Sequence, residues 1–134
     1  IVKKLREKHF ADRKEVFKYI QDRRKASLLP GLGIGYYTKL ICFLHPELSG
    51  YIMDQWVAKS VNILLGKNLV DIANSSNWVT DKNDHNIYEA FCSYIDELAQ
   101  DVGTTGFKLE ERLFSYGGRT KGKWRAFVVE NTTN

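Results

Sequence analysis

Cysteine, proline and methionine are scarce in this chain, and long apolar runs are missing altogether. Its 134 residues include two Cys, two Pro and one Met. Cys42 and Cys92 lie far apart and form no CxxC pair. Two such residues cannot by themselves hold an iron–sulfur cluster or a Cys-based zinc site. A reduced, cytoplasmic chain is the simplest reading of that cysteine usage. His9, His45 and His85 have no metal-ligand spacing with one another or with the cysteines. No metal site and no required cofactor is therefore expected. No run of 18 apolar residues exists, which excludes a helical membrane span and leaves no membrane partner to expect. The chain opens IVKKLREKHF, with no initiator Met and no apolar signal core behind its charges. An upstream segment is expected to be absent from this sequence. Internal repeats and low-complexity tracts are also lacking.

What is present is an ordinary globular composition, 43% apolar and 27% charged. Its size suits one domain with one core, over residues 1–134. The net charge of +4 is unevenly spread. Residues 1–27 carry +6, residues 28–111 carry −6, and residues 112–134 carry +4. Two basic ends thus flank an acidic middle. Solvated helix faces would account for this, and so would a polyanion contact built from the ends.

Helical periodicity dominates the chain and predicts an all-α fold. Asp12 can cap a helix with Glu15 three residues on, and Val16, Phe17 and Ile20 share one face. Its end is expected near Ser27, because Pro30 disfavours helix before it. Ile34, Thr38, Ile41 and Leu44 predict a second helix over about 34–44. Pro46 to Tyr51 reads as a turn. A third helix is expected from Asp54, with Val57, Val61 and Leu64 inward and Gly66 as its C-cap. Residues 66–83 read as loop, with one helical turn possible around Leu69, Val70 and Ile72. The strongest pattern spans 84–101 and ends at Gly103. A short helix is expected over about 108–116, stopped by Gly117-Gly118. Trp124–Val129 could be extended or helical.

Leu29-Pro30-Gly31-Leu32-Gly33 joins two predicted helices, not a strand and a helix. That argues against a dinucleotide-binding fingerprint. Glycines there permit positive φ twice, and no side chain blocks approach. Free N–H groups at the start of the next helix suit a phosphate.

This turn and the helix after it resemble the helix–hairpin–helix of base-excision DNA glycosylases, a superfamily that includes endonuclease III and 8-oxoguanine glycosylase. That family places a catalytic aspartate a little over twenty residues beyond the hairpin, at the start of the next helix. Asp54 stands 23 residues after Gly31, behind Tyr51-Ile52-Met53 and before Gln55-Trp56-Val57. Leu109-Glu110-Glu111-Arg112-Leu113-Phe114 is similar to the closing helix of a bacterial branch of 8-oxoguanine glycosylase-like proteins. The motif match covers about residues 15–65, and the branch resemblance extends more loosely over 15–116. It implies a helical-bundle glycosylase fold with the helix–hairpin–helix at about 12–44 and a basic tail over 117–134.

Two departures qualify the likeness. Bifunctional members carry a nucleophilic lysine four residues after the first hairpin glycine, where this chain has Gly35. A monofunctional reaction is implied, with Lys39, one turn on, as the alternative nucleophile. The cysteine cluster of the endonuclease III branch is missing, and the chain is short for its wedge-bearing helices.

Breaking a C1′–N bond builds positive charge on the sugar, which a carboxylate can stabilise while orienting water. The resemblance gives Asp54 that role; as a helix cap, backbone N–H groups would keep it ionised. It gives Gly31, Gly33 and Gly35 a phosphate of duplex DNA to grip, with a monovalent cation possible at the hairpin carbonyls. A flipped base would meet aromatic residues, with Tyr36, Tyr37, Trp56 and Trp78 as candidates and Gln55 at the mouth. Core packing is the competing account of each aromatic. Cys42 and Cys92 read as buried and inert, and His85 as a helix-start residue. Asp96-Glu97 and Glu110-Glu111 read as solvated faces or caps. Arg119, Lys121, Lys123 and Arg125 read equally as DNA-contacting or as a solvated tail. A monomer in a bacterial nucleoid is the implied setting. A non-enzymatic DNA-binding module and a helical interaction domain are the rival readings.

Overall fold

Asp12 opens α2 (Arg13–Lys25) as its pattern predicts. The Asp12 side chain accepts the Glu15 amide at 2.8 Å, and Glu15 accepts the Ala11 amide at 2.6 Å. The cap is therefore reciprocal, although the returned bond goes one residue upstream of the usual capping box. The helix ends at Lys25 with Ala26 as its C-cap, close to the expected end near Ser27. Ser27 takes a left-handed conformation, its amide donates to the Arg24 carbonyl and Leu28's amide to that of Arg23. This paired closure ends the helix at Lys25 through its own backbone.

The computed structural model describes residues 2–29, 31–115 and 122–132, and among them every regular element is helical. Pro30, the Gly117-Gly118 stop, Arg119 and Lys121 lie outside the described residues. A short α1 (Val2–Glu7), which periodicity did not predict, precedes α2. Leu5 is its one buried residue, and the Leu5 carbonyl meets His45 Nε2 at 2.6 Å. Then come α3 (Ile34–Leu44), a 3-10 turn (Pro46–Leu48), α4 (Gln55–Leu65), α5 (His85–Asp101), α6 (Gly106–Leu113) and α7 (Lys123–Asn131).

The inward faces match the pattern with one exception. Val16, Phe17, Ile20, Ile34, Ile41, Val57 and Val61 are buried, whereas Leu64 is exposed. Leu64 lies in the last turn of α4, just before Gly66 closes that helix with positive φ. Tyr88, Phe91 and Ile95 of α5 complete one apolar cluster, with Phe17 stacked on Tyr88 at 4.6 Å. The loop over 66–83 holds no helical turn. It folds back on itself through a single antiparallel bridge, Ile72 with Val79. Asn62 of α4 pins it, exchanging two 2.9 Å hydrogen bonds with the backbone of Val70.

One terminal element corrects the sequence reading and another settles an open choice. Helix α6 begins earlier than predicted, because Thr105 caps it, and ends at Leu113. The Trp124–Val129 stretch is helical, as α7. The +6 amino-terminal segment is only partly free. Arg13 binds Glu89 and Asp96, Lys18 pairs with Asp22, Arg24 pairs with Asp81, and Arg23 stacks on Tyr19.

Candidate active site

The segment between the 3-10 turn and α4 is extended and held almost residue by residue. The Tyr51 carbonyl accepts the Tyr88 hydroxyl at 2.9 Å. The Met53 amide donates to Thr38 Oγ1 at 3.0 Å. Thr38 is buried and also bonds the Ile34 carbonyl at 2.7 Å, so α3 sets the height of this segment. The chain then delivers Asp54 to the start of α4.

Asp54 is the N-cap of α4, as expected. Its Oδ1 accepts the amides of Trp56 and Val57, each at 2.8 Å. Among the described residues, its Oδ2 accepts no hydrogen bond. Burial pushes the carboxyl up from its ordinary value. The Val57 and Trp56 amides and the charges of Lys39 and Arg125 pull the other way but do not cancel it. The expectation that capping alone governs this group is therefore corrected: desolvation is the larger effect.

Glycine shapes the approach. Gly31 takes φ +76°, but Gly33 sits at −75° as the N-cap of α3, so positive φ is used once and not twice. Gly33 has no side chain to cap α3, and a Cβ there would meet nothing within 4 Å. The α3 start is thus open to a close backbone-to-ligand approach. A Cβ on Gly35 would point toward the Met53 carbonyl, 4.0 Å away, one residue before Asp54. A shallow hollow of about 260 Å³ lies against the turn, lined by Arg24, Lys25, Ser27 and Gly31 among others. The Gly33 carbonyl already accepts the Tyr36 and Tyr37 amides at 3.0 Å, which disfavours it as a cation ligand. Among the described residues, no group of three His, Cys, Asp or Glu is placed to hold a metal ion.

The aromatic candidates do not gather into one pocket. Tyr37 is fully buried and packs edge-on against Phe17, so it belongs to the core. Tyr36 is exposed on α3, with Lys39 Nζ 5.6 Å from its ring centre. Trp78 is 61% exposed in the 66–83 loop. Its neighbour Asn77 reaches α4 by accepting Lys59 Nζ at 3.0 Å. Gln55 is half-buried beside the same lysine, at 3.4 Å. Trp56 stands next to Asp54, but its ring is covered by the Arg125 guanidinium at 3.8 Å.

Three further residues reach the site without having been singled out for it. Arg125 comes from α7, stacks on Trp56, donates to the Phe114 carbonyl at 2.8 Å and acts on Asp54. Lys59 is buried and lies 4.8 Å from the Trp56 ring centre, and burial lowers its pKa. Glu110 is not a solvated residue: it is 9% exposed on the inner face of α6. Its spacing with Gly106, Leu109 and Leu113 carried the signal. Burial first, and then the Asp54 and Glu111 charges, push its carboxyl up to about 7. Asp96 is also not a free surface group, since it binds Arg13 and the Tyr51 hydroxyl. Cys42 and Cys92 are buried as expected, and burial pushes their thiols up to about 11 and about 12. His85 is the first residue of α5, behind its cap Asp84.

A family model described as "Putative 8-oxoguanine DNA glycosylase OGG-like protein" matches residues 3–114. The chain belongs to this family. The matched span of the OGG-like chain includes the glycine turn, Asp54 and α6, and it stops short of α7. No curated protein and no solved structure matches the chain.

Proposed function

We propose that this OGG-like chain is a monofunctional DNA glycosylase. It hydrolyses the N-glycosidic bond of a modified base flipped from duplex DNA, leaving an abasic site. One observation carries the reading. Asp54 is fixed through Oδ1 at the start of α4 while Oδ2 accepts no hydrogen bond among the described residues, next to an open glycine turn. A fixed carboxylate with one free oxygen can stabilise an oxocarbenium-like sugar and orient water against it.

In this reading the open start of α3, at Gly31, Gly33 and Gly35, takes a backbone phosphate of the DNA. That contact fixes position and carries no sequence information. Gly35 leaves the Schiff-base position without an amine, so water is the nucleophile. Lys39 lies on the outer face of α3 beside Tyr36, acting on Asp54 only through its charge. No step requires the monovalent cation. Trp56 can serve as a base platform only if Arg125 gives up its face, whereas Gln55 needs no such exchange.

Asp54→Asn separates enzyme from binding module. It keeps a good helix cap, so the fold and DNA affinity should hold. Base release should fall by about 10²–10³-fold, the range for loss of a principal charge-stabilising group. Undiminished release would remove Asp54 from the chemistry. DNA binding without base release in the wild type would favour the non-enzymatic module. Borohydride should trap no covalent adduct between the wild type and abasic DNA; an adduct lost in Lys39→Gln would make Lys39 a nucleophile.

A further inference from the structure

We propose that the polar hollow between α4, the loop over 66–83 and the end of α7 is a phosphate site, with Lys59 as its cation. The site is separate from Asp54 and from the excision chemistry, and it stands even if no base is released. The hollow measures about 700 Å³, against about 260 Å³ for the one beside the glycine turn, and Lys59 lines its α4 wall.

Lys59 is only 8% exposed, and among the described residues it pairs with no carboxylate. Its ammonium has three donors. Asn77 Oδ1 accepts one at 3.0 Å and Gln55 Oε1 another at a looser 3.4 Å, and both acceptors are neutral amides. The Trp56 ring centre, 4.8 Å away, adds a cation–π contact. Arg125 covers the same ring at 3.8 Å, which brings a second positive charge to the neighbourhood. Burial first, and then that charge, lower the Lys59 pKa. A buried cation without a counter-charge is costly, and an anion entering the hollow relieves that cost.

The rest of the lining leaves the balance positive. Lys67 and Asp71 offset each other, and Asp71 already accepts the Thr80 hydroxyl. Lys59 is therefore the charge in excess. Asn68 and Asn74 add exposed side-chain amides able to donate to an oxyanion. The wall is held in shape by Asn62, whose two 2.9 Å bonds tie α4 to Val70. Among the described residues no aromatic side chain lines the hollow, so a base finds no face to stack on. A compact oxyanion suits a lysine and several amides better. A phosphate of the DNA backbone and free phosphate share this chemistry.

The test titrates inorganic phosphate into the full chain at constant ionic strength, with chloride as the balancing anion, followed by two-dimensional amide NMR. The wild type should show saturable shifts around Lys59, Asn68 and Asn77, with a dissociation constant of about 1 mM. Lys59→Met should weaken binding about tenfold or more. Asn77→Asp should do the same without removing the lysine, because it places the missing carboxylate beside Lys59. Lys4→Met, which removes an exposed charge in α1, should bind phosphate as the wild type does. The salt dependence of duplex DNA affinity then separates the two sources. A slope shallower by about 0.9 in Lys59→Met identifies a DNA phosphate. An unchanged slope, with phosphate binding still lost in that variant, identifies free phosphate. Phosphate binding and salt slope both unaffected by Lys59→Met and Asn77→Asp overturn the proposal.

Discussion

At the scale of single residues, Gly33 and Asp54 do opposite jobs at the starts of neighbouring helices. Asp54 fills the donors of α4 with its own carboxylate, and Gly33 leaves those of α3 without a side-chain partner. Because Gly33 has φ −75° and open space around its Cβ position, a larger residue should fold normally there. Gly33→Leu should therefore fit sterically and cost only about 1 kcal/mol as a poorer helix cap, but weaken DNA binding about tenfold, the worth of one charge-assisted hydrogen bond. The loss should be equal across unrelated duplex sequences, measured by fluorescence anisotropy. Unchanged affinity would detach the turn from DNA. Spacing made Asp54 and the hairpin glycines legible in the sequence, since a cap and a turn are local devices. Glu110 was harder to place. Two adjacent glutamates look like surface, and only the 3.6-residue period of α6 tells that one of them points inward.

At the scale of elements, α6 and α7 both pack against α4, the helix that Asp54 caps. The start of α6 lies so close to Tyr51 that a Cβ on Gly106 would fall 1.7 Å from the Tyr51 hydroxyl oxygen. That hydroxyl is tied to Asp96 and cannot simply swing away. Gly106→Ala should destabilise the fold by about 1–3 kcal/mol, the usual cost of overpacking, read from urea unfolding. A neutral effect would mean that α6 can slide along Tyr51. Helix α7 is anchored by Trp124 Nε1 donating to Ser60 Oγ at 2.9 Å, and Ser60 in turn donates to the Trp56 carbonyl at 2.7 Å. It thereby sets Arg125 over Trp56. The sequence could not disclose this, because Trp124–Val129 has little amphipathic pattern and its one buried residue, Val128, packs through tertiary contact. The way α2 ends was hidden for a related reason: Ser27 adopts a left-handed conformation that composition does not mark.

For the whole molecule, the uneven charge is less a DNA footprint than the sequence suggested. Arg13, Lys18, Arg23 and Arg24 are engaged within the fold. Lys3, Lys4, Arg6, Lys8 and Lys25 stay exposed. Burying Glu110 also leaves a signature in global stability. Its folded-state value of about 7 lies above the ordinary 4.5, so the folded chain binds the proton more tightly. Its contribution is fully present below about 4.5 and is lost as pH rises through about 7. Relative to Glu110→Gln, the wild type should lose on the order of 3 kcal/mol across that window, followed by denaturant melts. Parallel curves would place Glu110 in water. The central claim, that Asp54 does chemistry and does not merely start a helix, is tested most directly by matched assays on wild type and Asp54→Asn. With equal folding and equal DNA affinity, the variant should release the modified base about 10²–10³-fold more slowly than the wild type. Equal release by both would contradict the account.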